Sequence, residues 1–388
     1  MKKTIRKILS SLMRLFPMKD TIIFESSPDM ADNTYPVYRY LLNQGLNRHY
    51  HFLWMVNQPE NFTEVNEKNV SFVSVSNQGI VNYIKRLYHV STAKVIVFSN
   101  RILPKERDKQ YSIFLSHGTA TKKIKGTYDL GDILDDFVYQ SAFAKEFMAQ
   151  EHSVKLSHLV SLGFPRNDAL FASIDTLMPF ISNNQENYLV WLPTFRQHNK
   201  YDIANLATEM PFGLPLINTE TQMAQLNDLL TRLKLTIVVK LHPAQKRTST
   251  FSGCDHVVMI DDELLRINGV QLYTVLGRSS ALITDYSSVF YDYLLTERPI
   301  AITMDDFDEY KQTRGLAVEN YGDLVSDLQV NTFEDLLRFI ENLANHTDTT
   351  LAKRRELKVL FNDYLDDQST QRVSEHILTE INKRFGKQ

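Results

Sequence analysis

Disulfides are excluded by the chain itself, because Cys254 is the only cysteine among 388 residues. No intramolecular cross-link can staple the fold, and a reducing, cytosolic setting is natural for it. Long apolar runs are missing too. A bilayer-spanning helix needs roughly 20 apolar residues, whereas the longest stretches here, such as Ala93–Ser99, have the length of a buried strand. There is no excess of one charge sign: 43 Lys and Arg stand against 46 Asp and Glu, a net of -3. Such balance argues against a general nucleic-acid binder, which is normally basic. Acidic clusters at metal-ligand spacing are lacking, and Cys254 with His256 is too sparse for zinc. No metal or other cofactor is therefore expected.

What is present begins with an unusual N-terminus. Met1–Phe16 carries Lys2, Lys3, Arg6, Lys7 and Arg14 and no acidic residue. Its apolar positions, Ile5, Ile8, Leu9, Leu12 and Phe16, recur at helical spacing. The segment has neither the uninterrupted apolar core nor the small-residue cleavage site of a secretory signal. A basic amphipathic helix of this kind can lie on an anionic membrane surface. The alternative is a solvated helix that packs one face on the protein.

Beyond Lys19, short β-rich runs alternate with helical stretches. Expected strands are Thr21–Glu25, His51–Val56, Ser71–Val75, Lys94–Ser99, Ser112–Ser116, Phe137–Tyr139 and Leu159–Leu162, then Tyr188–Leu192, Thr236–Leu241, His256–Ile260, Ala281–Thr284 and Pro299–Thr303. Several are apolar on both faces, as parallel strands covered by helices must be. Length and alternation together predict two doubly wound α/β domains facing across a cleft. The polar stretch Asp175–Asn187 serves as linker. The boundaries are 1–19 for the amphipathic helix, 20–180 for an acceptor-side domain and 181–388 for a donor-binding domain, with the last helix free to return to the first domain. Leu265–Gly269 reads as an irregular insertion. Ligands of such sheets bind beyond the carboxyl ends of the strands, where the chemical groups of this sequence gather.

Four segments follow apolar runs there. In Ser116-His117-Gly118-Thr119, glycine permits a sharp turn, and a histidine at a strand end can accept a proton near neutral pH. Lys122 and Lys123 beyond it favour an anion, although a structural histidine is equally ordinary. In Leu192-Pro193-Thr194-Phe195-Arg196, the arginine fork suits phosphate. Alternation puts Lys240 and His242 of Lys240-Leu241-His242-Pro243 on one side of a strand end. In Thr284-Asp285-Tyr286-Ser287-Ser288, an apolar strand gives way to a helix start whose amides and hydroxyls can hold an anion; a plain N-cap is the other reading. Arg166 and Asp168 form an Arg–Asp pair as readily structural as functional, and Asp32 and Asn33 are candidates to touch an acceptor.

Together with Gly163-Phe164-Pro165-Arg166-Asn167-Asp168, these segments resemble, in order and spacing, the CDP-glycerol glycerophosphotransferases of teichoic-acid and capsule biosynthesis. The likeness runs from about residue 20 to residue 320. Where the family often continues His-Gly-Thr with Pro and Leu, Ala120 and Thr121 stand here. The resemblance implies two Rossmann-like domains of GT-B type, no required metal, and transfer of glycerol phosphate or ribitol phosphate from a CDP-polyol to a lipid-linked or polymeric glycan with release of CMP. It also implies peripheral attachment to the cytoplasmic face of the cell membrane. His117 takes the base's role. His242 protonates or stabilises departing CMP, and Thr194, Arg196, Lys240, Asp285, Ser287 and Ser288 hold the donor, with Gly118 and Thr119 supporting. A nucleotide-sugar glycosyltransferase on the same fold and a non-catalytic membrane-surface glycan- or nucleotide-binding protein are the competing readings.

Overall fold

The alternating pattern folds as two parallel sheets. The computed structural model describes residues 3–76, 79–124, 129–171, 178–181, 187–197, 205–251 and 253–386, with side chains from residue 8 onward. The chain divides into two units. The first comprises Met1–Thr119, Lys125–Asp168 and Asp366–Gln388, the second Ala120–Ile124 and Ala169–Leu365. The linker expected at Asp175–Asn187 lies, apart from 178–181 and Asn187, outside the described residues.

Seven strands build the first sheet: β1 (Lys19–Glu25), β2 (His51–Val56), β3 (Val70–Ser74), β4 (Ala93–Phe98), β5 (Tyr111–Phe114), β6 (Asp136–Tyr139) and β7 (Leu159–Ser161). They run in the order β3-β2-β1-β4-β5-β6-β7, every pair parallel. β1 is an interior strand, with Ile22 opposite Phe52 on one side and Val95 on the other. Ile22, Ile23 and Phe24 are all fully buried, which is why the run is apolar without alternation. The C-terminal helix Ser369–Phe385 belongs to this unit and adds Val373, Ile377 and Ile381 to the core containing Val37, Tyr38 and Leu41. Its start is fixed by Asp168, whose carboxylate accepts from the Ser369 and Thr370 amides at 3.0 and 2.7 Å. Gly163 sits at φ 76°, and a Cβ there would lie 2.4 Å from Ser369 Oγ; only glycine permits both the turn and the approach.

The second sheet has six strands: β8 (Tyr188–Leu192), β9 (Thr236–Val239), β10 (Val257–Met259), β11 (Ala281–Thr284), β12 (Ile300–Thr303) and β13 (Gln329–Val330). Their order is β10-β9-β8-β11-β12-β13, again parallel. Trp191, Val239 and Ile283 pack against Leu226 and Leu230 of helix Glu220–Leu233 and against Leu336 and Ile340 of helix Phe333–Ala344. A reciprocal capping box between Thr219 and Gln222 starts the first of these helices. The sequence expectation needs correction at Leu265–Gly269, which is not irregular: Asp262–Ile267 is a helix capped by the Asp261 side chain. In each sheet the strand order reverses once, between β1 and β4 and between β8 and β11.

The N-terminal helix spans Lys3–Met13. Ser10 is buried and donates to Glu106, and Arg107 donates to the Phe16 carbonyl at 2.6 Å. Ile8, Leu12 and Leu15 remain exposed. Among the described residues no helix is long and apolar enough to cross a membrane.

Candidate active site

Carboxyl ends of parallel strands share one edge of a sheet, and the reversal point leaves a crevice there. In the second unit that point lies between β8 and β11, paired with Leu189 opposite Ala281 and Leu192 opposite Thr284. The chain leaves β8 as Pro193-Thr194-Phe195-Arg196 and leaves β11 as Asp285-Tyr286-Ser287-Ser288. Asp285 joins the two exits. Its carboxylate accepts from the Thr194 amide at 3.0 Å, the Thr194 hydroxyl at 3.1 Å, the Tyr286 amide at 2.6 Å and Arg196 Nη1 at 2.8 Å. Arg196 is fully buried and also bonds Asp306 through Nε and Nη2. Its guanidinium lies 5.1 Å from the rings of both Tyr286 and Tyr310. Burial alone would lower its pKa, but Asp285 and Asp306 outweigh burial and hold it firmly protonated.

Arg196 and Thr194 are thereby tied into the frame that joins the two strand exits. The Arg196 N–H groups are spent on carboxylates and on the Thr194 carbonyl and hydroxyl, and Thr194 Oγ1 is spent on Asp285 and Arg196. Asp285 likewise holds the two loops together. Removing one member of a buried pair leaves an uncompensated charge and costs several kcal/mol. Lys240 lies just beyond β9 and pairs with Asp262 at 2.8 Å.

His242 and the two serines remain accessible to a ligand. The His242 ring lies 4.5 Å from the Phe195 ring. Its Nδ1 accepts from the Ala244 amide at 3.1 Å, so the neutral ring carries its proton on Nε2. Ser287 and Ser288 are half-buried, and Ser288 makes no capping hydrogen bond. The α-helix they open is only Val289–Tyr293, extended by a 3-10 turn over Leu294–Thr296. A helix this short has a small dipole.

In the first unit, His117 follows β5 in a turn with Ser116 at φ 57° and Gly118 at φ 134°. The Ser116 hydroxyl bridges the Gly118 amide and carbonyl at 3.3 and 3.1 Å. Asn33 Nδ2 donates to the Leu115 and Ser116 carbonyls at 3.2 and 2.9 Å. Arg166 Nη1 donates to the His117 carbonyl at 2.9 Å and pairs with Asp32 at 2.5 Å. Two expectations change with this. Arg166 partners Asp32 rather than Asp168, and Asn33 is fully buried as a brace of the His117 turn rather than an acceptor contact. Thr119 donates to Gln140 at 3.0 Å. Nearby, His152 lies between Phe114 and Phe137 with Nδ1 2.9 Å from the Met148 carbonyl. Burial, and then the proximity of His117, lower its pKa to about 4.

Several residues of these sites escaped the sequence reading. Asp306 was visible only within the acidic-aromatic stretch Asp305–Tyr310, and Tyr286 only as a neighbour of the serines. Arg314, which ends helix Phe307–Arg314, had no signal besides the glycine after it. Among the described residues no group of three His, Cys, Asp or Glu is placed to hold a metal.

Two parallel-sheet units, one presenting a braced histidine turn and the other a half-buried serine pair where its strand order reverses, give an α/β protein of GT-B-like build. The family model for CDP-glycerol:poly(glycerophosphate) glycerophosphotransferase matches residues 8–379, and the chain belongs to that family. It is 23% identical to the teichoic acid glycerol-phosphate primase of Bacillus subtilis (strain 168), across 79% of this chain and 78% of the relative. With the ribitol-phosphate polymerase TarL of Staphylococcus aureus (strain NCTC 8325 / PS 47) it shares 22% identity, across 87% of this chain and 59% of the relative. The solved wall teichoic acid polymerase TagF superposes with a TM-score of 0.71 at 18% identity, covering 97% of this chain and 94% of that one.

Proposed function

We propose that the protein transfers glycerol phosphate or ribitol phosphate from a CDP-polyol to a hydroxyl of a lipid-linked or polymeric cell-envelope glycan, releasing CMP. The observation that carries this reading is the division of labour between the units: a histidine turn braced through its backbone in one, and a half-buried serine pair at the sheet's reversal point in the other. Membership of the family and the primases and polymerases among its relatives support it.

The acceptor oxygen attacks the β-phosphorus of the donor while His117 takes its proton. The bond from that phosphorus to the oxygen bridging the two phosphates breaks, and its electron pair leaves with CMP. Phosphoryl transfer asks mainly for positioning and for neutralisation of non-bridging oxygens. Ser287 and Ser288 supply donors, Lys240 supplies charge, and His242 Nε2–H donates to the leaving phosphate. His117 stands three residues before Ala120, where the chain passes into the second unit. Incubating the purified protein with CDP-glycerol, CDP-ribitol and UDP-sugars, with and without lipid-linked acceptor, tests the reading. CMP released from a CDP-polyol in an acceptor-dependent manner supports it. Release of UDP from a sugar donor alone shows a glycosyltransferase, and binding without release shows a scaffold.

The same reading places the chain peripherally on the cytoplasmic face of the membrane, with anionic lipid as a partner. The helix Lys3–Met13 turns Ser10 inward and leaves Ile8 and Leu12 outward. A helix that only packed on the protein would bury those apolar side chains instead. Ile8→Glu with Leu12→Glu should abolish co-sedimentation with anionic vesicles and leave CMP release in detergent unchanged; undiminished co-sedimentation would refute the placement.

A further inference from the structure

With Arg196 bonded to two carboxylates and Lys240 already paired with Asp262, cations without such partners would add to the charge that Lys240 offers a diphosphate. Two lie beside Phe195. The segment Ala120–Ile124 belongs to the second unit, where Lys122 forms an antiparallel bridge with Leu316. The Ala317 amide donates to the Thr121 carbonyl at 2.8 Å, and the Lys123 amide to the Gly315 carbonyl at 3.2 Å. This short ladder sets Lys122 beside Arg314. Lys122 Nζ lies 5.5 Å from the centre of the Phe195 ring and Arg314 Cζ 5.1 Å from it. His242 packs on the same ring.

Neither cation has a carboxylate partner among the described residues. Arg314 makes one long hydrogen bond, to the Arg196 carbonyl at 3.4 Å, and its Nη1 is buried without a partner. A buried guanidinium N–H left unmade is costly, and two cations beside one ring repel each other. Burial, and then Arg314 and Arg196 acting against Asp285, push Lys122 down to about 8. A diphosphate would satisfy the open N–H and cancel the repulsion.

We propose that Lys122 and Arg314 form the cation pair that receives the donor's diphosphate across the Phe195 ring. The proposal rests on the reading that the second unit takes a nucleoside diphosphate donor. It also makes the segment beginning at His117 serve both reactants, since Lys122 follows the base by five residues.

Calorimetric binding of CDP-glycerol, CMP and cytidine to the full chain tests this, using Lys122→Met, Arg314→Met and the conservative Lys122→Arg. Each methionine variant should bind CDP-glycerol about 10- to 100-fold more weakly, the loss of a charge-assisted hydrogen bond. CMP should lose less and cytidine nothing, and Lys122→Arg should bind like wild type. Because burial opposes the charge of Lys122 more strongly than Asp285 supports it, Lys122→Met should melt no lower than wild type. CDP-glycerol binding within twofold of wild type in both methionine variants would overturn the pair. So would equal weakening for cytidine, which would indicate a merely structural role. If wild type bound a UDP-sugar and not CDP-glycerol, the polyol reading would fail, and the same losses measured on that ligand would decide the pair. No binding of any nucleoside diphosphate would overturn both.

Discussion

The two units hold their histidines in opposite electrostatic settings. Around His117 the nearest cation, Arg166, is matched by Asp32, and the neighbouring imidazole of His152 is kept uncharged by burial. Around His242 lies charge that is only partly compensated, with Lys122 and Arg314 lacking carboxylate partners beside the fully neutralised Arg196. A base must be free to accept a proton, whereas a diphosphate pocket must stay cationic before its ligand arrives. The same fold meets both demands by placing its acids differently.

The sharpest way to break the contrast is to remove the base. His117→Ala should lower turnover by about 10²–10⁴-fold and leave CDP-glycerol affinity unchanged, measured as CMP release beside calorimetric binding. A loss under tenfold would remove His117 from the chemistry. Next comes the frame of the second unit: Asp285→Ala leaves Arg196 its bonds to Asp306 but takes the acceptor from the buried Thr194 and Tyr286 amides, and should cost about 3–5 kcal/mol of stability, read from denaturant unfolding.

Acidity then separates the units further. Burial raises the Glu25 carboxyl at the end of β1 from 4.5 to about 7, against lowering by the Asn100 and Arg101 amides. A carboxyl whose folded pKa is raised favours the fold fully below its unfolded value, and that contribution is lost as pH rises through about 7. The span corresponds to about 3 kcal/mol. Glu25→Gln should flatten the fall in stability between pH 5 and pH 8; an unchanged profile would contradict this. The smallest effect concerns Lys122, which faces Asp285, Arg314 and Arg196, with His242 across Phe195. Its charged form is lost as pH rises through about 8. Donor affinity should therefore weaken by about tenfold above that pH, and Lys122→Arg should abolish the decline.

The sheets were legible because buried parallel strands are continuous apolar runs. His51–Val56, Tyr188–Leu192 and Ala281–Thr284 coincide with their sequence spans. β13, two residues long, offered no period to read, and Asp262–Ile267 was too short for a helical stripe. The site was legible in its positions more than in its partnerships. The strand ends pointed to His117, His242 and the serine pair, but nothing near Arg196 announces Asp285, 89 residues on, or Asp306, 110 residues on. Lys122 was visible as a charge. That it meets Arg314 follows from a bridge between distant segments, which local pattern does not encode.

The central claim is that the phosphorus nearest the polyol moves with it. CDP-glycerol carrying radiolabel in the β-phosphate, incubated with the protein and a lipid-linked acceptor, follows that atom directly. The label should pass to the acceptor and the nucleotide product should be unlabelled CMP. Label retained in a nucleoside diphosphate would show cleavage on the other side of that phosphorus and contradict the account.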